Sequence, residues 1–194
     1  SEVYGEPIKN PISEDDITQG KTVYAISKLA GEELVKAYHR EYKDLNYTIL
    51  RYFNTYGPYQ IAQFVVPKFI RNVLHGKPPI IYGDGKQIRD WIHVKDHCRG
   101  IIDAAKGLKS GKVLSGDVIN FGASNEKTNI EIVNTILSIV NKPTTLIQHV
   151  RDRLGHDRRY AMGYEKAKLL LGWEPEIGWD EGIKETVLPV LNIF

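Results

Sequence analysis

The chain reads as an α/β protein with parallel strand pairing, and two observations predict that class. From about residue 22 onward, short β-rich runs alternate with segments of helical periodicity, the pattern of helices layered on a parallel sheet. Gly and Pro stand where most of those segments stop. Length sets a bound, since 194 residues hold one full domain or parts of two.

Each element has its own reason. Residues 6–20 are polar, with Pro7, Pro11 and the acidic run Glu14-Asp15-Asp16, and predict a loop. Gly31, Leu34, Val35, Tyr38 and Tyr42 recur at 3.6-residue spacing and predict a helix over 22–42. Residues 48–53 form a β-rich run stopped by Gly57-Pro58. Residues 65–74 predict a helix ended by Gly76, with Lys77-Pro78-Pro79 behind it. Residues 80–82 predict a strand before the Gly83-Asp84-Gly85 turn, and 90–94 another leading into a helix over 95–105. Residues 118–121 predict a strand ending at Gly122, and 129–140 a helix capped by Thr128 or Asn129. Residues 144–150 read as a strand, 164–171 as a helix with Gly172 past its end, and 179–191 as a helix.

Composition narrows the function classes. Hydrophobic residues at 42% and charged residues at 26% are ordinary for a soluble globular protein. A net charge of +2 demands neither a nucleic acid nor a membrane as partner. Cys98 is the only cysteine, which rules out an intramolecular disulfide and a thiolate metal cage and suits a reducing, cytoplasmic compartment. His156 has no companion at metal-ligand spacing, so no metal is assigned. No apolar run approaches the ~20 residues of a membrane span. A G-x-G-x-x-G phosphate loop is absent from the 194 residues.

One local pattern carries chemistry. Tyr24 and Lys28 stand four apart on a predicted helix, so both side chains rise from one face. A free phenol has a pKa of about 10, and a neighbouring ammonium lowers it by stabilising the phenolate. A phenolate so tuned can act as a base toward a substrate hydroxyl. The spacing alone occurs on many ordinary helices. Its context here is Tyr24-Ala25-Ile26-Ser27-Lys28-Leu29-Ala30-Gly31-Glu32.

That run resembles the catalytic helix of the extended short-chain dehydrogenase/reductase family, the NAD-dependent nucleotide-sugar epimerases and dehydratases. Four further stretches carry the resemblance: Ser1-Glu2-Val3-Tyr4-Gly5, residues 51–58, residues 83–91 and residues 152–161. The resemblance implies the C-terminal part of a Rossmann-like doubly wound parallel sheet plus a smaller α/β substrate domain. Residues 1–58 and 88–122 would complete the NAD-binding domain, and 59–87 and 123–194 would form the nucleotide-sugar domain.

The family's chemistry then suggests roles. Tyr24 is the base at the C4 hydroxyl, and Lys28 also binds the nicotinamide ribose. The Thr or Ser that usually precedes the Ser1–Gly5 run would lie ahead of Ser1. Glu2 matches the Glu of 4,6-dehydratases and glucuronate decarboxylases, a base for the C5 proton once C4 is a ketone. At Ser1 the deoxythymidine-diphosphate-glucose dehydratases carry Asp, the acid for the C6 hydroxyl, so this chain departs from them there. Asn54 and Arg89 match the family's diphosphate ligands. Asp152-Arg153-Leu154-Gly155-His156-Asp157-Arg158-Arg159-Tyr160-Ala161 resembles the D-R-P-G-H-D-R-R-Y-A segment of those same dehydratases. By that resemblance Arg153 clamps the diphosphate, His156 lies near the nucleotide ribose, and Tyr82 lies near the base.

The expected activity is C4 oxidation of a nucleotide-diphospho-glucose, loss of water across C5 and C6, and hydride return to C6. A 4-epimerase or a glucuronate decarboxylase on the same scaffold stays open, as does an inactive fragment that only binds the nucleotide-sugar. The resemblance covers the second half of such enzymes, so the chain is expected to be their back portion. A homodimer is expected through two helices per subunit, one of them bearing Tyr24.

Overall fold

The structure, a computed structural model, describes residues 1–6, 9–152 and 158–191. A 3-10 turn over Glu2–Tyr4 opens the chain. Then come α1 (Val23–Glu41), β1 (Ile49–Tyr52), β2 (Asn54–Tyr56), α2 (Val65–Leu74) and β3 (Ile80–Tyr82). The middle holds β4 (Ile88–His93), α3 (Val94–Ser110), β5 (Val118–Phe121), β6 (Glu126–Thr128) and α4 (Asn129–Ile139). A 3-10 turn over Thr144–Leu146, β7 (Gln148–Val150), β8 (Arg159–Tyr160), α5 (Glu165–Leu171) and α6 (Trp179–Leu191) complete it.

The pairing is parallel with one exception. β1 pairs with β5, Arg51 opposite Asn120, and β3 with β7, Ile81 opposite His149. β4 pairs in parallel with β2, Asn54 opposite Trp91, and with β8, Arg89 opposite Tyr160. Only β6 runs antiparallel to β4.

Several expected boundaries move. The run 48–53 is not one strand: β1 ends at Tyr52, Phe53 turns inward, and β2 begins at Asn54 with a different neighbour. One chain segment thus serves two sheets. Residues 144–150 also divide, because the stretch after Pro143 winds into a 3-10 turn before β7 starts. α3 runs five residues past the expected end at 105, to Ser110, where Gly111 takes the left-handed conformation at φ 78° that terminates it.

Helix starts are built from side chains. Thr22 caps α1 by accepting from the Ala25 N–H. His93 caps α3 by accepting from the Lys95 N–H. Thr128 and Glu131 form a reciprocal capping box on α4, which decides between the two expected caps in favour of Thr128.

Three buried clusters form the interior. One gathers Tyr56, Trp91 and Trp179 with the apolar faces of α2, α4 and α6. A second packs Ile92, Ile119 and Phe121 against Ala167 and Trp173, so α5 lies on the α3–β5 side. The third joins Val3, Tyr4, Ile12, Phe53, Tyr160 and Met162. At the end of β5 the main chain is pressed against residue 162. A Cβ on Gly122 would stand 1.7 Å from the Met162 carbonyl oxygen, so only glycine fits. The buried Asp90 carboxylate holds the adjoining loop by accepting from the N–H groups of Ala123 and Asn125 at 2.8 Å each. Burial pushes its pKa up, and those N–H groups oppose the shift.

Candidate active site

The first wall of the site is the start of α1. Tyr24 lies in the first helical turn and is 58% exposed, so its phenol is open to a ligand. Lys28 places its Nζ 5.3 Å from the centre of the Tyr24 ring. The predicted pair is therefore brought together, as i,i+4 spacing requires.

The second wall is the Glu2–Tyr4 turn. The Thr22 hydroxyl accepts from Ala25 at 3.0 Å and donates its single proton to Glu2 Oε2 at 3.1 Å. The carboxylate is thus tied to the amino end of α1. The turn closes at Gly5, φ 63°, where a Cβ would meet the Gln19 carbonyl oxygen at 2.2 Å. The Tyr160 hydroxyl donates to the Gly5 carbonyl and holds the turn from the other side.

The third wall is the carboxyl end of β1 and the start of β2. Asn54 donates to the Asp90 carbonyl at 3.4 Å, and Tyr52, Phe53 and Thr55 flank it. These walls enclose a cleft of about 610 Å³ whose lining includes Ser1, Glu2, Tyr24, Asn54, Gln60 and Trp91. Beside it a recess of about 60 Å³ adds Arg89 and Tyr160 to Ser1, Glu2, Phe53 and Asn54. Arg89 lies over the Tyr160 ring at 5.4 Å and donates to the Ile88 carbonyl at 2.7 Å.

The remaining expected residues are placed differently. Lys28 does not line the cleft. Tyr82 lines a separate cavity of about 260 Å³ with Lys68, Asn72 and Asn129, and Val65 borders both spaces. Arg153 and His156 lie outside the described residues. The ends of their segment are described, however. Asp152 accepts from Gln87 Nε2 at 2.9 Å, Arg158 pairs with Asp84 at 3.0 Å, and Arg159 with Glu126 at 2.7 Å.

Sequence reasoning missed Thr22, Gln60, Phe64, Trp91 and Tyr160. Thr22 was findable as the cap residue ahead of a helical run, and Tyr160 as part of the 152–161 stretch. Gln60 and Phe64 sit in a loop without a local pattern and reach the cleft only through tertiary folding. Among the described residues no three His, Cys, Asp or Glu side chains converge as a metal site would need.

Electrostatics separates the two phenols of the cleft. Burial pushes the Tyr52 hydroxyl well above the ordinary phenol range, and it donates to the His97 carbonyl at 3.2 Å. Tyr52 therefore stays a neutral donor, whereas Tyr24 faces solvent beside an ammonium. A phenol, a carboxylate and a hydroxyl converge, with amide and guanidinium donors at one side. That set suits proton transfers on a hydroxylated ligand carrying an anionic group.

Fold and cleft together define a Rossmann-type α/β protein with a cleft lined by Glu2, Tyr24 and Asn54 at the carboxyl ends of parallel strands. The chain belongs to the GDP-mannose 4,6 dehydratase family, whose model matches residues 1–186. A dTDP-glucose 4,6-dehydratase from an Actinoplanes species is 38% identical over 186 residues, covering 96% of this chain and 56% of that protein. The crystal structure of a dTDP-glucose 4,6-dehydratase from Streptomyces venezuelae, with NAD bound, superposes with a TM-score of 0.90 at 34% identity. It covers 98% of this chain and 57% of that one. A UDP-glucuronic acid 4-epimerase from Bacillus cereus, in complex with UDP-glucuronic acid and NAD, gives a TM-score of 0.90 at 29% identity, over 100% of this chain and 60% of that one. The chain thus spans little more than half the length of these relatives. No helix among the described residues is long and apolar enough to cross a membrane.

Proposed function

We propose that the chain carries the acid–base and substrate-binding part of an NAD-dependent nucleotide-diphospho-sugar 4,6-dehydratase, acting on dTDP-glucose or a close analogue. The observation that carries this reading is the convergence of Ser1, Glu2, Tyr24 and Asn54 on one cleft. Tyr24 takes the proton of the C4 hydroxyl, with the Lys28 ammonium 5.3 Å from its ring centre. Glu2 takes the C5 proton, made acidic by the C4 ketone. The Ser1 hydroxyl stands beside Glu2 where the leaving C6 hydroxyl needs a donor. Asn54 and Arg89 bind the diphosphate, joined by Arg153, while His156 and Tyr82 meet the nucleoside.

NAD, when bound, supplies the hydride acceptor and donor for this chemistry. The solvent-facing Tyr24/Lys28 pair fits such a cofactor by position and charge, and these two residues would hold it. The 194 residues contain no glycine-rich loop, so the pyrophosphate grip is not among what they contribute. In this reading residues 1–58 and 88–122 belong to the NAD-binding domain, and 59–87 and 123–194 to the nucleotide-sugar domain. α1 is one of two helices per subunit that form the interface of a cytoplasmic homodimer.

Incubation with NAD and dTDP-glucose tests the proposal through its product. A 4-keto-6-deoxy sugar is expected. A C4 epimer or a pentose with carbon dioxide would mark the epimerase or decarboxylase that shares the scaffold. Glu2→Gln should abolish elimination and leave C4 oxidation measurable, and unchanged elimination would remove Glu2 from the mechanism. Thymidine diphosphate binding without any turnover would mark a chain that only binds. Intact mass of the native protein bears on that reading, since a value well above 22.1 kDa would show further sequence attached.

A further inference from the structure

We infer that Glu32 and Arg51 are positioning residues for the Tyr24/Lys28 pair, a buried ion pair that sets where α1 stands on the sheet. The inference rests on the reading of Tyr24 as the proton acceptor.

α1 has little apolar hold on the rest of the described chain. Ala25 is its only buried residue, and Leu29 packs at the edge of the Tyr4 cluster. Those apolar contacts carry little directionality, whereas a bidentate ion pair fixes both rotation and height. Glu32 supplies what they lack. Arg51 Nε donates to Glu32 Oε1 at 2.9 Å and Nη2 donates to Oε2 at 2.6 Å. The side chains are only 8% and 12% exposed. Two parallel bonds between planar groups define orientation as well as distance.

Arg51 is itself held independently of the helix. Its guanidinium lies 4.7 Å over the Tyr4 ring, and the Tyr4 hydroxyl donates to Asn120 Oδ1 at 2.8 Å on the neighbouring strand. The Asn120 N–H in turn donates to Glu14 at 2.7 Å. The receiving end is therefore a fixed point built from β1, β5 and the loop before α1. Tyr24, Lys28 and Glu32 follow one another at i, i+4 and i+8, so a rotation that turns Tyr24 away from the cleft pulls Glu32 off Arg51. Three residues beyond Arg51 stands Asn54. The pair thus spaces the phenol of α1 from the amide of β2 across the cleft. Misplacement of a reacting group by about 1 Å can cost ~100-fold in rate.

Single-turnover oxidation with NAD and dTDP-glucose, measured beside thymidine diphosphate affinity, tests the inference on Glu32→Gln and Arg51→Lys. Oxidation is expected to slow by roughly 10- to 100-fold while nucleotide affinity stays within about twofold. The exchanged pair, Glu32→Arg with Arg51→Glu, should recover part of the loss. Unchanged oxidation in both single variants would overturn the inference. So would equal loss of nucleotide binding, which would make the pair a general structural support. A wild-type protein that binds thymidine diphosphate but is inert toward NAD and dTDP-glucose is the binding-only outcome above and leaves the functional reading, not the inference, in question. Hydrogen exchange then decides the positioning role: faster exchange confined to α1 in Glu32→Gln upholds it, and unchanged α1 protection overturns it.

Discussion

Two phenols line the same cleft, and their surroundings assign them different work. Tyr24 sits beside the Lys28 ammonium and faces solvent, while Tyr52 lies between the rings of His97, 3.6 Å away, and Phe121, 4.6 Å away. Deprotonating Tyr52 would place a charge among stacked rings, which is why burial raises its pKa. Tyr24→Phe should therefore lower turnover by about 10²–10⁴-fold, the usual contribution of a positioned acid–base group. Tyr52→Phe should remove one hydrogen bond, worth about 1 kcal/mol of stability, and leave the rate within a few-fold. Steady-state kinetics on the two variants reads the contrast directly. Equal losses would mean that the phenols cannot be told apart by environment. At this scale the sequence was most legible where chemistry is local. Tyr24 was singled out by its local run and Ser1 and Glu2 by the resemblance that run carries, and all three line one cleft. Gln60, Phe64 and Trp91 reach the cleft through the packing of α2 and β4, which no spacing along the chain records.

Elements were legible where they are long and periodic or bounded by turn residues, as β3 and β5 are, and two short strands were missed. β6 and β8 span three residues and two, are built on Glu126-Lys127-Thr128 and Arg159-Tyr160, and offer no alternation to detect. The break at Phe53 was hidden because the β-rich run continues through it, and only the change of neighbour divides β1 from β2. Caps are a different matter, since they make testable demands on single side chains. His93 is fully buried and caps α3 through Nδ1, which leaves the ring proton on Nε2. Nε2 lies 3.7 Å from Glu185, whose other oxygen is bound to Lys95. Desolvation holds the His93 pKa below its ordinary value, with Lys95 adding to the effect and Glu185, Asp96 and Glu181 opposing it. The unfolded chain, with histidine near its usual ~6.5, therefore takes up this proton before the folded one. Stability is expected to be highest above about pH 7 and to fall as pH drops through ~6.5 toward the lower folded value. That window lies above the one in which carboxylates protonate. Urea midpoints measured from pH 7.5 to 5.5 should fall in the wild type. The slope should flatten in His93→Asn, which keeps a capping oxygen but does not titrate. His97, lowered by burial as well, contributes to the slope that remains. An unaltered slope in His93→Asn would show that this histidine is not the group responsible.

At the scale of the whole molecule, the periodicity that identifies α1 also marks an apolar stripe that no described residue covers. Leu34, Tyr38 and Tyr42 stand at i, i+4 and i+8 and are each more than half exposed, with the two tyrosine rings stacked 6.0 Å apart. The opposite pole of the interior, around Trp91 and Trp179, is closed by three helices. Hydrophobic burial is worth about 25 cal/mol per Å², so covering the stripe formed by Leu34 and Tyr38 on α1 and by its C-cap Tyr42 would be favourable. Two copies related by a twofold axis would cover it with one self-complementary contact, each stripe packing on its counterpart. That is the homodimer proposed above, and it places α1 between the partner and the cleft. Pairing would restrain the helix from the face opposite the Glu32–Arg51 contact, so association and catalysis should be linked. In sedimentation velocity the wild type is expected at twice 22.1 kDa at micromolar concentration, and Leu34→Glu combined with Tyr38→Glu at 22.1 kDa. Each glutamate would face its twin across the axis, where like charges repel and lose their water. Loss of the dimer should be accompanied by a fall in kcat with little change in nucleotide affinity. A wild type that sediments as one copy across the micromolar range, or a double variant that still pairs, would move the interface off this stripe.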